Sequence, residues 1–252
     1  MFGRDTAILD RPFVIAHRGA SGIAPENTLA AFEAAIAAGA DGIELDVAPC
    51  ATGELMVLHD DCVDRTTNGS GQLETMSFDA LRVLDAGAWF GPEFVGERIP
   101  TLAEALDLAA GHVWVNIEIK GSHLRDATIA DRIVALLRAR GNRDRVLVSS
   151  FNPAILWRMA RMAPQIPRAL IYSPNLAFYL AHGWARYLVA PAALHPHMSL
   201  VNDAYMRSAH RRGYQVNVWT VNAPEDMRRM IALKVDGIIT NEPARLRELL
   251  AR

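Results

Sequence analysis

Glu44 and Asp46 stand two apart in the run Ile43-Glu-Leu-Asp-Val47. On a β-strand alternate side chains share a face, so this spacing sets both carboxylates on one side and Ile43, Leu45 and Val47 on the other. Glu118 and Lys120 repeat the spacing in Asn116-Ile-Glu-Ile-Lys120. Two acids on the inner face of a buried strand repel each other and are costly to bury without a cation. Three converging carboxylates supply hard oxygen ligands suited to Mg²⁺ or Ca²⁺. The plainer alternative, an acid that is solvated or paired with lysine, suits one carboxylate better than three set among apolar residues.

Further polar residues gather where apolar runs stop. His17 and Arg18 follow the run 13–16, and His59 and Asp60 follow Leu55-Met-Val-Leu58. Two imidazoles flanking a metal suit general acid and base work near neutral pH. Arg18 and Lys120 bring positive charge for an anionic group, and arginine offers a bidentate fork to phosphate oxygens. Gly19 and Gly22 allow tight turns and close backbone approach, and Asn27 and Thr28 can open the next helix. His112, His123, His182 and His210 read as structural. His195 and His197 form an H-x-H pair that could ligate a metal, but no third ligand stands near them in the sequence.

The elements that must carry these residues recur as β-rich runs, most of them separated by helical patterns. The runs are 13–16, 43–47, 113–119, 145–149, 169–172, 215–220 and 237–240, with a weaker one within 187–195. Alternating β and α units predict a parallel sheet. Eight of them in 252 residues fit a (β/α)8 barrel of the α/β class, whose strands end at the functional face. An open doubly wound sheet would call for a G-x-G-x-x-G turn after the first strand in a dinucleotide binder, and residues 17–22 do not supply one. Strand starts lie about 20–30 residues apart except between 43 and 113. The excess, 60–98, reads as a small insertion after the second strand, within one barrel domain spanning 1–252, and would sit over the catalytic face. Thr101 with Glu104 predicts a capping box at the start of a helix over 102–110.

Composition bounds the partners. The chain has 26 basic and 28 acidic residues, so no basic footprint points to nucleic acid. Hydrophobic residues make up 51% of the chain. With a mean hydropathy of +0.08, that excludes a disordered chain. The most apolar long stretch, 176–201, is interrupted by His182, Arg186, Pro191 and Pro196, so no membrane span is expected. Residues 2–12 lack the apolar core of a secretory signal, and two cysteines cannot form a disulfide framework; together these predict a cytoplasmic protein.

The ordered motifs resemble the glycerophosphodiester phosphodiesterase family, especially its short bacterial cytosolic members. They are His17-Arg-Gly19 with Pro25-Glu-Asn-Thr28, Glu44-Leu-Asp46, Leu58-His-Asp60, Arg65-Thr-Thr67, Ile99-Pro-Thr-Leu102, Asn116-Ile-Glu-Ile-Lys120, Ser150-Phe151 and Val218-Trp-Thr-Val-Asn222. The resemblance spans 13–243 and is loose over 154–214. It implies a TIM barrel with an inserted subdomain and a divalent metal, Mg²⁺ or Ca²⁺, on Glu44, Asp46 and Glu118. It implies His17 and His59 as the acid–base pair, Arg18 and Lys120 on the phosphate, and Phe151 and Trp219 lining a glycerol pocket. The implied reaction is hydrolysis of a small-molecule glycerophosphodiester to sn-glycerol 3-phosphate and an alcohol, with His17 as base and His59 as acid or the two roles reversed.

Three rivals bear on the same residues. A lysophospholipase D acting on acyl substrates would need an apolar groove, for which Trp89-Phe90 or Phe178-Tyr179 are candidates. A non-catalytic glycerophosphate-binding barrel would be expected to lack one of the histidines or acids, and none is missing. A metal-dependent amidohydrolase would want H-x-H at the end of its first strand, where this chain has His17-Arg18.

Overall fold

Valine- and isoleucine-rich runs pair in register to form a closed sheet in the computed structural model, which describes residues 10–121, 128–141, 145–176 and 183–251. Phe178, Tyr179, His123 and His182 lie outside the described residues. The strands are β1 (Phe13–His17), β2 (Gly42–Pro49), β3 (Leu55–Val57), β4 (Trp114–Ile119), β5 (Val146–Ser150), β6 (Arg168–Tyr172), β7 (Ala193–Pro196), β8 (Gln215–Val218) and β9 (Gly237–Thr240). All except β3 run parallel, and β1 pairs with both β2 and β9, which closes an eight-stranded barrel. That closure excludes the open doubly wound sheet.

Among the described residues the α-helices are α1 (Leu29–Ala37), α2 (Phe78–Arg82), α3 (Leu102–Ala109), α4 (Ile129–Arg140), α5 (Pro153–Met162), α6 (Arg186–Val189), α7 (Asp203–Arg211), α8 (Pro224–Ala232) and α9 (Pro243–Leu250). Their starts follow local chemistry. Thr28 caps α1 by accepting from the Ala31 N–H, and Thr101 and Glu104 form the expected capping box on α3. The weaker run expected within 187–195 lies at its end: Arg186–Val189 is helical and the strand is Ala193–Pro196. Pro191 has no N–H with which to continue the helix.

Leu55–Val57, read in the sequence only as an apolar run, is a strand antiparallel to β2, with Val47 opposite Val57. The Leu58 N–H then donates to the Asp46 carbonyl at 3.1 Å, so the hairpin delivers His59 beside the acid-bearing strand. Between β3 and α3 the chain builds its own small core from Met56, Leu58, Val63, Leu73, Leu81, Ala86 and Ile99, apart from the main core between barrel and helices.

Register decides what points inward. Glu44 lies opposite Asn116, Glu118 opposite Ser149, Ile171 opposite His195, and Asn217 opposite Gly237. The barrel interior is therefore polar on most sides. Asn116, Ser149, His195 and Asn217 are at most 5% exposed, and each has a side-chain atom with no hydrogen-bond partner. Leu147, Ala169 and Ala193 form a small apolar cluster of their own.

Candidate active site

The β1–α1 loop holds the two acids of β2. Arg18 and Asn27 both adopt positive φ, a left-handed conformation uncommon outside glycine. Such strain persists only where the surroundings impose it, and it clusters at functional sites. Here the Arg18 N–H donates to Glu44 Oε2 at 3.1 Å, and Asn27 Nδ2 donates to Asp46 Oδ2 at 2.8 Å. Gly19, also at positive φ, lets the loop lie against α1; a Cβ there would stand 2.6 Å from the Ala31 carbonyl carbon.

Glu44, Asp46 and Glu118 each present a carboxylate oxygen, all within 4.8 Å of one another. Lys120 Nζ bridges Asp46 Oδ1 at 2.8 Å and Glu118 Oε1 at 2.7 Å, and Arg18 Nε lies 3.3 Å from Asp46 Oδ2. Both cations thus sit on the carboxylates. Burial, then repulsion from Asp46 and Glu118, pushes the Glu44 carboxyl well above its ordinary value. Burial would raise Asp46 too, but Lys120 and Arg18 outweigh it and hold Asp46 low. Glu118 is raised by burial, which Lys120 only partly offsets. Glu44 Oε1 is buried without a hydrogen-bond partner. An all-oxygen donor set with an unmatched buried oxygen fits a hard divalent cation.

The two histidines are anchored by different chemistry. His17 Nδ1 donates to Asn241 Oδ1 at 2.7 Å, which leaves Nε2 with its lone pair. Burial, helped by Arg18, lowers His17 to about 4. His59 Nδ1 meets the Asp60 carboxylate at 2.6 Å. Arg65 grips Asp60 at 2.7 Å and also reaches Glu26 at 2.8 and 2.9 Å, and Glu26 accepts from Arg18 at 2.7 Å. One chain of alternating charge therefore runs from Asp46 through Arg18, Glu26 and Arg65 to Asp60, which holds His59. It ties the start of the 60–98 segment to the β1–α1 loop.

Phe151 and Trp219, from loops after β5 and β8, meet edge to face with centroids 5.6 Å apart. Trp219 Nε1 donates to the His195 carbonyl at 2.7 Å. In the 60–98 segment Phe90 meets Trp89 and Phe94 edge to face.

Sequence spacing does not single out Asn241, Glu26 or the anchoring role of Asp60. Asn241 directly follows the last apolar run, the same signal that marks His17 and His59. His195 and His197 do not join a metal cluster; among the described residues the only such group is Glu44, Asp46 and Glu118. His195 instead meets the Asn217 amide at 2.9 Å inside the barrel.

Burial alone lowers His195 from 6.5 to about 3. Between those values the unfolded chain binds the extra proton, so stability is full above about 6.5 and declines as pH falls towards 3. The slope from this group approaches about 1.4 kcal/mol per pH unit. Melting temperature is expected to fall less steeply over that interval in His195→Gln than in the parent. Superimposable profiles would remove His195 as the cause.

The fold and the site define a barrel hydrolase. Residues 17–245 match the model of the glycerophosphoryl diester phosphodiesterase family. A glycerophosphodiester phosphodiesterase of Caldanaerobacter subterraneus is 40% identical over 244 residues, covering 96% of this chain and 99% of that one. The structure of an Oleispira antarctica phosphodiesterase, in complex with the product sn-glycerol-3-phosphate, superposes with a TM-score of 0.88 at 30% identity, covering 96% of this chain and 98% of that one. A glycerophosphodiester phosphodiesterase from Agrobacterium tumefaciens gives 0.81 at 28% identity, with 94% and 99% covered. The chain belongs to the glycerophosphoryl diester phosphodiesterase family.

Proposed function

We propose that the chain hydrolyses glycerophosphodiesters to sn-glycerol 3-phosphate and an alcohol, with His17 as general base, His59 as general acid, and a divalent metal ion on Glu44, Asp46 and Glu118. The observation that carries this reading is the opposed anchoring of two imidazoles beside one carboxylate cluster. Asn241 is neutral and gives a proton on His17 no compensating charge. His17, at about 4, is unprotonated at neutral pH and ready to accept one. Asp60, whose carboxyl Arg65 holds down to about 2, is a charged partner 2.6 Å from His59 Nδ1. The Oleispira complex supports the product, since the substrate must be cleaved on the alcohol side of the phosphate to leave it.

His17 Nε2 takes the proton of the attacking hydroxyl, which is a water or the glycerol 2-hydroxyl. The latter is already tethered to the phosphate and acts at high effective concentration, giving a cyclic phosphate that water opens. As the phosphorus–oxygen bond to the alcohol breaks, His59 Nε2 supplies the proton that the leaving oxygen takes up. Arg18 and Lys120 bring their charge to the phosphate, and Phe151 and Trp219 form a wall for the glycerol carbons. When bound, a divalent cation would neutralise charge developing on the phosphoryl oxygens. We further take 60–98 as an insertion within a single barrel domain. The protein is assigned to the cytoplasm, in keeping with the free thiols of Cys50 and Cys62. Among the described residues no helix is long and apolar enough to cross a membrane.

Release of glycerol 3-phosphate from a panel of headgroups tests the reading. Every polar anchor named here grips phosphate or glycerol, so choline, ethanolamine and glycerol diesters are expected to differ in kcat/KM by no more than about tenfold, or roughly 1.4 kcal/mol. Substrates without the glycerol hydroxyls should fare far worse, because buried polar groups would lose partners. The obstacle to such tolerance is the 60–98 segment at 68–71, where Asn68 and Ser70 are exposed while the preceding Thr66 and Thr67 are buried. A thousandfold preference for one headgroup, relaxed by shortening 68–71, would show that the segment reads the alcohol. No glycerol 3-phosphate from any diester would overturn the function itself.

A further inference from the structure

The chain carries its charge unevenly. Residues 145–223 hold eight arginines and a single acid, Asp203, while acidic residues outnumber basic ones in the remainder. The same segment builds the flank from β5 to β8, and its outer helices leave large apolar side chains in solvent. Trp157 on α5 is 51% exposed, and Trp184, Tyr187 and Leu188, at and beside α6, are 55%, 65% and 77% exposed. α5 packs against α6, so these side chains belong to neighbouring elements. Arginines cover two of the rings: Arg161 lies 5.0 Å from the Trp157 centroid and Arg186 lies 5.0 Å from that of Tyr187.

A cavity of about 340 Å³ opens beside α6, outside the barrel and apart from the catalytic residues. Arg186, Arg212, Ser208 and the hydrogen-bonded Tyr172–Tyr205 pair line it, together with apolar residues, and among the described residues no carboxylate does. Arg212 Nη1 donates to Ser208 Oγ at 2.5 Å. Guanidinium groups and hydroxyls between apolar walls suit a phosphate that carries a hydrophobic tail.

We propose that this flank docks on the surface of an anionic phospholipid bilayer. Trp184, Tyr187 and Leu188 enter the boundary between headgroups and acyl chains, and Arg186 and Arg212 take a lipid phosphate at the cavity. Aromatic rings with an apolar body and a polar tip prefer that boundary, and arginine is drawn to an anionic leaflet. The acid-rich remainder is repelled by the same field, which orients the molecule with this flank down. Charge also separates the bilayer from other occupants. A second copy would bring arginine face against arginine face. A nucleic acid would match the charge but has no use for Leu188, the most exposed of these apolar side chains.

Co-sedimentation of the full chain with vesicles of phosphatidylcholine, with and without a third of phosphatidylglycerol, tests the proposal without substrate and so independently of hydrolysis. The protein is expected to pellet with the anionic vesicles, to stay in solution with the neutral ones, and to release as salt is raised. Replacing both arginines (Arg186→Gln with Arg212→Gln) should lower the partition coefficient about tenfold or more. The triple variant Trp184→Ala, Tyr187→Ala, Leu188→Ala should lower it similarly. Unchanged melting temperature and unchanged hydrolysis of soluble glycerophosphocholine establish that both variants fold. Equal partition onto both vesicles, no partition onto either, or full binding by both variants would overturn the proposal. So would retention on duplex DNA, or self-association in sedimentation velocity, without vesicle binding.

Discussion

Hydrolysis of glycerophosphodiesters is expected to stop when EDTA is added and to return with Mg²⁺ or Ca²⁺. The reason lies in unequal charge compensation. Lys120 serves Asp46 and Glu118 at 2.8 and 2.7 Å, but Glu44 Oε1 is buried with no protein partner. A carboxylate in that position either takes up a proton or meets a cation. Because burial and repulsion raise Glu44, protons compete with metal, and affinity should fall as pH drops. Glu44→Gln removes the charge while keeping the shape. Metal affinity read by calorimetry should therefore fall, while the melting temperature holds or rises. Full activity in a sample shown to be free of metal would refute the assignment.

His17→Ala and His59→Ala should each lower kcat by about 10²–10⁴, with little change in circular dichroism. Their anchors make the two losses independent in origin. His17 hangs from Asn241 beyond the last strand, and His59 from Asp60 in the hairpin that follows β2. A near-normal rate in either variant takes that residue out of the mechanism. The half-buried position of both rings lets truncation proceed without opening the main core.

The barrel was legible because its parallel strands are short β-branched runs that alternate with helical patterns; the plainer alternative of lysine pairing holds for Asp46 and Glu118, which share Lys120, and leaves only Glu44 Oε1 unmatched. The carboxylate cluster followed from two strands whose side-chain parity can be read directly. The hairpin strand Leu55–Val57 was harder: three residues carry too little alternation to separate a strand from any apolar run. The anchors were hidden for another reason. Asn241 lies 224 residues from His17, and Glu26 lies 39 from Arg65. A contact closed by the barrel leaves no spacing to detect. Asp60 stood in plain view beside His59, but adjacency in sequence does not reveal that one side chain turns back upon the other.

The polar lining of the barrel has a consequence for how much stability this scaffold leaves unused. Asn116, Ser149, His195 and Asn217 occupy positions where barrels of this architecture set bulky aliphatic side chains. Each keeps a polar atom desolvated without a partner. Replacing such groups in concert by apolar ones of like volume is neutral or favourable, whereas removing one member of a pair is costly. The barrel therefore resembles a fold held below its attainable melting point. A concerted apolar repacking of His195 and Asn217 is the natural starting point for engineering heat resistance, since neither belongs to the acid–base pair or the carboxylate cluster.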